Sequence, residues 1–235
     1  MQEKKITICA CASRSYIDKQ KVAQLAAILR KENYNVSIET DLCEKVLNIS
    51  AEMEDIASGI IMACYQRVIH SHLHWLGLQA KQVIDIRNNS LDDVLSQLQV
   101  VHNGNLSDVE VFIEQINNFP VKDGTDAWFP VLDKERCDNC GRCHDFCLFG
   151  VFTIENKKIR VAQPQNCKNN CPACARMCPS QAIIFPKYEK SPINGGIEIE
   201  EHFNSIEADA LYKERLCNRL QQRRAGISLI KKEHK

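Results

Sequence analysis

Eight of the thirteen cysteines fall in two short runs whose spacing suits metal. The first is Cys137-x2-Cys140-x2-Cys143-x3-Cys147. The second is Cys167-x3-Cys171-x2-Cys174-x3-Cys178, followed by Pro179. Three cysteines on a tight loop can grip three irons of a cubane. Such a loop cannot close on itself, so the fourth iron needs a thiolate from elsewhere. Two runs of this form point to two [4Fe–4S] clusters, and such clusters pass single electrons. Structural zinc is the rival chemistry, because C-x2-C pairs also build zinc sites. Two four-membered runs with a terminal Cys-Pro fit iron–sulfur better.

The double run, within residues 133–190, resembles the bacterial-type two-cluster ferredoxins. In that family the fourth cysteine of each run ligates the other cluster. The resemblance therefore implies one cluster on Cys137, Cys140, Cys143 and Cys178, and a second on Cys147, Cys167, Cys171 and Cys174. Swapped ligands make the two clusters close neighbours, which suits fast hopping. The sequence departs from the family pattern twice. Leu148 stands where a proline usually follows the fourth cysteine, and the spacer Lys168-Asn169-Asn170 is one residue longer than usual. Neither change removes a ligand, but a longer spacer alters the amide hydrogen bonds to cluster sulfurs and so the potential.

The segment ahead of these runs alternates strand and helix patterns. Ile6–Cys9, Val36–Ile38, Gly59–Ala63 and Val83–Ile86 read as strands. Asp18 is placed to cap a helix through Val22, Leu25, Ala26 and Leu29, and a second helix is expected over Arg67–Leu76. Helix starts are expected at Ser90 and at Ser107, the latter matching a capping box with Glu110. This β-α-β rhythm predicts a parallel sheet wrapped by helices, an α/β fold of flavodoxin or Rossmann type. The expected organisation is an α/β domain over 1–118, a linker over 119–132, an α+β ferredoxin domain over 133–190, and a helical tail over 191–235. Ser191–Gly196 reads as a break before that tail.

Four further cysteines then take on meaning. Cys9 and Cys11 end the first strand pattern, Cys43 follows the second, and Cys64 follows the third. In a parallel sheet these are carboxyl ends of strands, and their loops share one rim. Four thiols on one rim could hold a third cluster. The alternative is that they pack as small hydrophobes. A phosphatase-type nucleophile would need an arginine six residues after the cysteine, and Ser15 and Ile17 stand there instead. A phosphocysteine carrier would tolerate that, but makes little sense of the attached cysteine runs. Over residues 5–88 this segment resembles the N-terminal domain of the heterodisulfide reductase A subunit. The resemblance rests on Cys9-Ala10-Cys11, on Cys43, on Ala63-Cys64-Tyr65-Gln66-Arg67 and on Asp85-Ile86-Arg87. Ala12 replaces the glycine usual after the Cys-x-Cys. What the resemblance implies is a [4Fe–4S] site on Cys9, Cys11, Cys43 and Cys64. The flavin domain of that subunit would show a G-x-G-x-x-G turn after a strand; the chain has none, so no flavin is expected.

Composition narrows the function classes. Lys+Arg and Asp+Glu balance at 30 each, which argues against a nucleic-acid binder. No signal peptide is recognised, and no stretch approaches the ~18–20 apolar residues of a membrane span. The chain is expected in the cytoplasm, where thirteen cysteines mean metal and not disulfides. His70 and His74, four apart on a helix with His72 between them, could bind metal or form a solvated face. Trp75 and Trp128 read as packing residues, and Cys217 as packed or idle. Leu211, Leu216 and Leu220 give the basic tail an apolar stripe suited to docking a partner. The expected function is electron transfer within a larger anaerobic redox complex. The partner is a flavoprotein, a hydrogenase or a disulfide-reductase-type subunit, and bond-making catalysis sits on it. Two alternatives stand beside this: an enzyme using Cys9, Cys11 or Cys64 as a thiol activated by Arg14 or Arg67, and an oxygen sensor built on the N-terminal cluster.

Overall fold

A computed structural model describes residues 4–101, 108–120 and 126–196. Lys5–Cys9 (β1), Asn35–Glu39 (β2), Ile60–Ala63 (β3) and Gln82–Asp85 (β4) form an all-parallel sheet in the order β2-β1-β3-β4. The central strands β1 and β3 are buried nearly throughout, as strands covered by helices on both faces are. Lys19–Lys31 (α1) starts where Asp18 accepts a hydrogen bond from the Gln20 N–H, and buries Val22, Leu25, Ala26 and Leu29 against the sheet. Two short helices, Leu42–Leu47 (α2) and Glu52–Ser58 (α3), link β2 to β3. They carry too few turns to show a helical period, and the sequence reading did not include them. Gln66–Trp75 (α4) follows β3, and Leu91–Gln97 (α5) and Val109–Asn117 (α6) complete the layers. A capping box lies at Ser90: its hydroxyl accepts from the Asp93 N–H, and the Asp93 carboxylate accepts from the Ser90 N–H. Ser107 is outside the described residues.

The cysteine runs form a second unit. Val131–Leu132 (β5) pairs antiparallel with Ile183–Ile184 (β8), and Phe152–Glu155 (β6) with Lys158–Val161 (β7). Asn156 and Lys157 both take positive φ, as a two-residue hairpin turn requires. Arg142–Phe146 (α7) and Ala173–Arg176 (α8) each follow a cysteine loop.

The two units share buried surface. One apolar cluster joins Leu42, Val46, Ile61, Val68 and Leu73 to Phe129, Val131 and Ile184. Residues 126–132, the end of the stretch read as a linker, are buried; the apolar Ala127-Trp128-Phe129 belongs to the interior despite the linker-like Lys-Asp-Gly ahead of it. Arg67 Nε donates to Asp133 Oδ2 at 2.6 Å, and its guanidinium also bonds the Gln181 carbonyl. Trp75 Nε1 donates to the Val161 carbonyl at 3.2 Å, while Trp128 stacks on Phe185, so both tryptophans pack. The Ser191–Gly196 break is a buried turn against α4. A Cβ on Gly195 would lie 2.6 Å from Val68 Cγ2, and its φ of +95° is a glycine conformation. The tail beyond Gly196, with Cys217, Leu211, Leu216 and Leu220, lies outside the described residues.

Candidate metal centres

The first cysteine loop is braced at both ends. Asp133 Oδ1 accepts from the Glu135 and Arg136 amides. Asn139, in the left-handed region, accepts on Oδ1 from the Ile159 N–H at 3.0 Å. Gly141, at φ +81°, turns the chain into α7, which carries Cys143. Cys178 arrives from beyond α8. Cys137, Cys140, Cys143 and Cys178 together line one small hollow, walled by Leu132, Ile159 and Ile183. Burial and then the neighbouring Cys178 push the Cys143 thiol up to about 12, and Cys137 and Cys140 are raised as well, again with a contribution from Cys178.

A second set forms around Cys167 and Cys174. Burial raises Cys167 to about 12, with Cys171 and Cys147 adding to it. Cys174 is raised well above its ordinary range by burial, then by Cys167, Cys143, Cys147 and Cys171. The first hollow thus takes three cysteines from one run and Cys178 from the other, and Cys167 is influenced by Cys171 of its own run and by Cys147 of the other. Cys143 of the first set is among the groups that raise Cys174, so the sets adjoin.

The N-terminal cysteines are gathered by topology. In the order β2-β1-β3-β4 the chain leaves β1 toward one side of the sheet and β3 toward the other, which opens a crevice at the carboxyl ends of these two strands. Cys9 closes β1. Cys11 sits two residues on in the left-handed region (φ +48°), its carbonyl accepting from the Arg14 and Ser15 amides. Cys64 follows β3 directly. Cys43 lies in the first turn of α2, whose N-cap Asp41 accepts from the Cys43 N–H at 3.0 Å. Burial lifts all four thiols: Cys11 to about 11, and Cys9, Cys43 and Cys64 strongly. Cys9 is raised further by Cys11 and Cys64, Cys64 by Cys11, and Cys43 by Cys64 and Cys11, so the four form one connected group.

This direction bears on chemistry. A nucleophilic thiol needs a lowered pKa, and these move the other way. The arginines expected to activate them are engaged elsewhere: Arg14 in a two-bond pair with Asp126, and Arg67 with Asp133. The cations that do reach the thiols are Lys187, felt by Cys11 and Cys43, and Arg87, felt by Cys11 and Cys64. Arg87 lies between the rings of Tyr16 and Tyr65, at 4.5 and 5.0 Å. Neither cation was singled out as a site residue in the sequence.

Lys187 comes from the cysteine-run unit and is 2% exposed. Its Nζ donates to Asp41 Oδ2 at 2.5 Å and to Ser13 Oγ at 2.8 Å, and lies 3.4 Å from Asp126 Oδ2. The Ser13 hydroxyl in turn donates to Asp41, and Tyr16 donates to the Lys187 carbonyl. Burial alone would pull the ammonium down, but Cys43, Asp41 and Asp126 outweigh it and hold it above its ordinary value.

The three histidines separate. His70 and His74 line a surface hollow with Arg67 and Arg136. His72 is buried at 1% exposure against Phe129, with neither ring nitrogen hydrogen-bonded, and burial lowers its pKa to about 4. Among the described residues no three His, Cys, Asp or Glu side chains converge as ligands of a single ion do. A cubane spreads its thiolates around a larger body. Three all-cysteine sets, buried or half-buried and electrically connected within themselves, are a donor chemistry that fits iron–sulfur clusters.

No family model matches the chain. It is 48% identical over 67 residues to an uncharacterized ferredoxin of Methanocaldococcus jannaschii, covering 28% of this chain and 45% of that protein, so it spans less than half the length of this relative. It is 35% identical over 88 residues to Ferredoxin-3 of Nostoc sp., covering 28% of this chain and 90% of the relative. It is 32% identical over 81 residues to the pyruvate synthase subunit PorD of Methanocaldococcus jannaschii, covering 34% and 93%. Among the described residues no helix is long and apolar enough to cross a membrane. With near-complete coverage of relatives that share about a third of their residues with it, the chain belongs to the ferredoxins, iron–sulfur proteins of electron transfer.

Proposed function

We infer that the chain is a three-cluster relay: two clusters on the cysteine runs and a third on Cys9, Cys11, Cys43 and Cys64. The observation that carries this reading is the gathering of four cysteines, distant in sequence, into one connected group at the crevice between β1 and β3. The resemblance of residues 5–88 to the heterodisulfide reductase A subunit points the same way. A [4Fe–4S] cluster bound there supplies one-electron redox chemistry. In the cysteine runs, Cys137, Cys140, Cys143 and Cys178 hold one cluster, and Cys147, Cys167, Cys171 and Cys174 the other.

The chain's own groups set the conditions. Deprotonation of the raised thiols is coupled to metal binding, as in other all-thiolate sites. The Leu42 amide donates to Cys9 Sγ at 3.5 Å and the Ala182 amide to Cys178 Sγ at 3.3 Å, which places backbone dipoles on two ligand sulfurs. Cys9 and Cys43 share a buried apolar cluster with Ala63 and Val68, which keeps water from them. Burial raises Cys9, Cys11, Cys43 and Cys64 where a nucleophile would need lowering, which supports placing bond-making chemistry on a partner. That partner is a flavoprotein, hydrogenase or disulfide-reductase-type subunit of a cytoplasmic redox complex, in line with the similarity to a pyruvate synthase subunit.

The test is iron and acid-labile sulfide on anaerobically purified protein beside Cys64→Ala. About twelve irons per chain, falling to about eight in the variant, are expected. About eight in both would reduce the protein to a two-cluster ferredoxin carrying an α/β unit with free thiols.

A further inference from the structure

Lys187 is the least expected residue in the molecule. It follows the last cysteine run by nine residues, yet its ammonium ends inside the other unit, between Asp41 and Asp126 and on the Ser13 hydroxyl. All three charged groups are at most 3% exposed at the side chain. Burying charges is costly, and an apolar substitute of similar size is often as stable or more so. A role in folding alone is therefore a weak account of this cluster. Its position suggests another. Asp41 caps the helix turn that bears Cys43, and Ser13 follows Cys11 by two residues. The ammonium is thus held directly behind two of the four N-terminal thiols, by groups that belong to the same loops.

Resting on the three-cluster reading, we propose that Lys187 sets the reduction potential of the N-terminal centre. It is a positioning residue that lends the cysteine-run unit's positive charge to the other unit's cluster. A cluster held by the four N-terminal cysteines would become more negative by one charge on taking an electron from its neighbour, which is thereby oxidised. In a buried setting that added charge is poorly screened, and a fixed ammonium favours it. Asp126 has the opposite influence. Arg14 bonds its two oxygens at 2.8 and 3.1 Å and offsets part of its charge. The same contact makes the tuning conditional on docking: if the two units part, the ammonium leaves the N-terminal thiols.

The experiment is a redox titration followed by electron paramagnetic resonance on the full chain, with iron counted for each sample. The variants are Lys187→Met, Lys187→Arg and Asp126→Asn. Lys187→Met is expected to make the N-terminal centre harder to reduce, lowering its reduced-to-oxidised ratio at fixed potential by about tenfold, as for a unit charge some 10 Å away at an effective dielectric near 20. Lys187→Arg is expected to restore most of this. Asp126→Asn is expected to shift the same centre the other way, and the two cysteine-run clusters should move much less in all three. Should Lys187→Met lose iron, the opposite shift in Asp126→Asn and the retained potential of Lys187→Arg still decide. Unchanged N-terminal potentials, or shifts of one sign in both charge-removing variants, would overturn the proposal. A wild-type protein with about eight irons and no third signal would instead remove the three-cluster reading beneath it.

Discussion

The cysteine runs and the N-terminal cysteines reach similar ends by opposite routes. In the runs, successive cysteines are separated by two or three residues, and in the first run a short loop pinned by Asp133 and Asn139 places them. Of those cysteines Cys143 and Cys174 are buried, five are half-buried and Cys140 is exposed. At the rim of the sheet, Cys9 and Cys64 are 55 positions apart. Nothing local brings them together; the parallel pairing of β1 with β3 does. The first arrangement survives as a sequence motif on many backbones. The second exists only if the whole sheet folds, and so ties the geometry of the four cysteines to the fold and to the unit that supplies Lys187.

The largest expected effect separates the two regions. Cys178→Ala should remove one cysteine-run cluster, about four irons, and leave the N-terminal centre's signal in place. The same holds for Cys147→Ala with the other cluster. Loss of all iron in either variant would show that the regions do not load independently.

Next in size is a break at their shared core. Ile184 is fully buried and packs among residues of the α/β unit. Ile184→Ala should cost about 2–5 kcal/mol, and chemical unfolding should remain one transition for both units. Two transitions, with only the later one displaced, would mean that the shared cluster couples them weakly.

A third prediction concerns His72. Its folded pKa of about 4 lies below the ordinary 6.5, so the unfolded chain takes up the proton first as pH falls. Stability from keeping the ring neutral is complete above pH 6.5 and drains away toward pH 4, by about 3 kcal/mol over the full window. His72→Phe should flatten this slope. The measurement is the difference in denaturant midpoint between the two proteins from pH 7.5 to 5.5, and a parallel pair of curves would contradict it. The groups it feels are Asp41 and Lys187, so the test also probes the buried charges behind Cys43.

Legibility follows the same divide. The four strands, the Asp18 cap and the α4 helix were readable because apolar period and capping chemistry are local. The α/β class followed from the β-α-β alternation, and the rim position of Cys9, Cys11, Cys43 and Cys64 from their places at the ends of the strand patterns. The helices α2 and α3 were not readable, since one or two turns show no period. Lys187, Arg87 and Asp126 were not readable as site residues either. Each acts across a contact set by tertiary packing, and a lone lysine after a cysteine run looks like surface. The burial of 126–132 was hidden by the Pro, Gly and Asp that surround an apolar core segment.

The smallest effect is also the sharpest comparison, because it sets matching asparagines of the two runs against each other. Asn139 and Asn170 each precede a cysteine in a left-handed conformation, at φ +57° and +58°. Asn139 serves its own unit, accepting from the Ile159 amide. Asn170 is part of the lengthened spacer and accepts from Arg14 Nη2 at 2.8 Å, across to the loop that carries Cys11. Glycine keeps that backbone conformation without strain and removes only the amide. Asn170→Gly should therefore leave the iron content unchanged and cost about 1 kcal/mol. Hydrogen exchange should rise along the seam at residues 11–15, with the loop of Cys137 unaffected. Asn139→Gly should cost a similar amount but loosen the Cys137 loop and the β6–β7 hairpin instead. If both variants loosened only their own cysteine loops, the extra spacer residue would have no part in joining the two units, and the second run would be as local in its effects as the first.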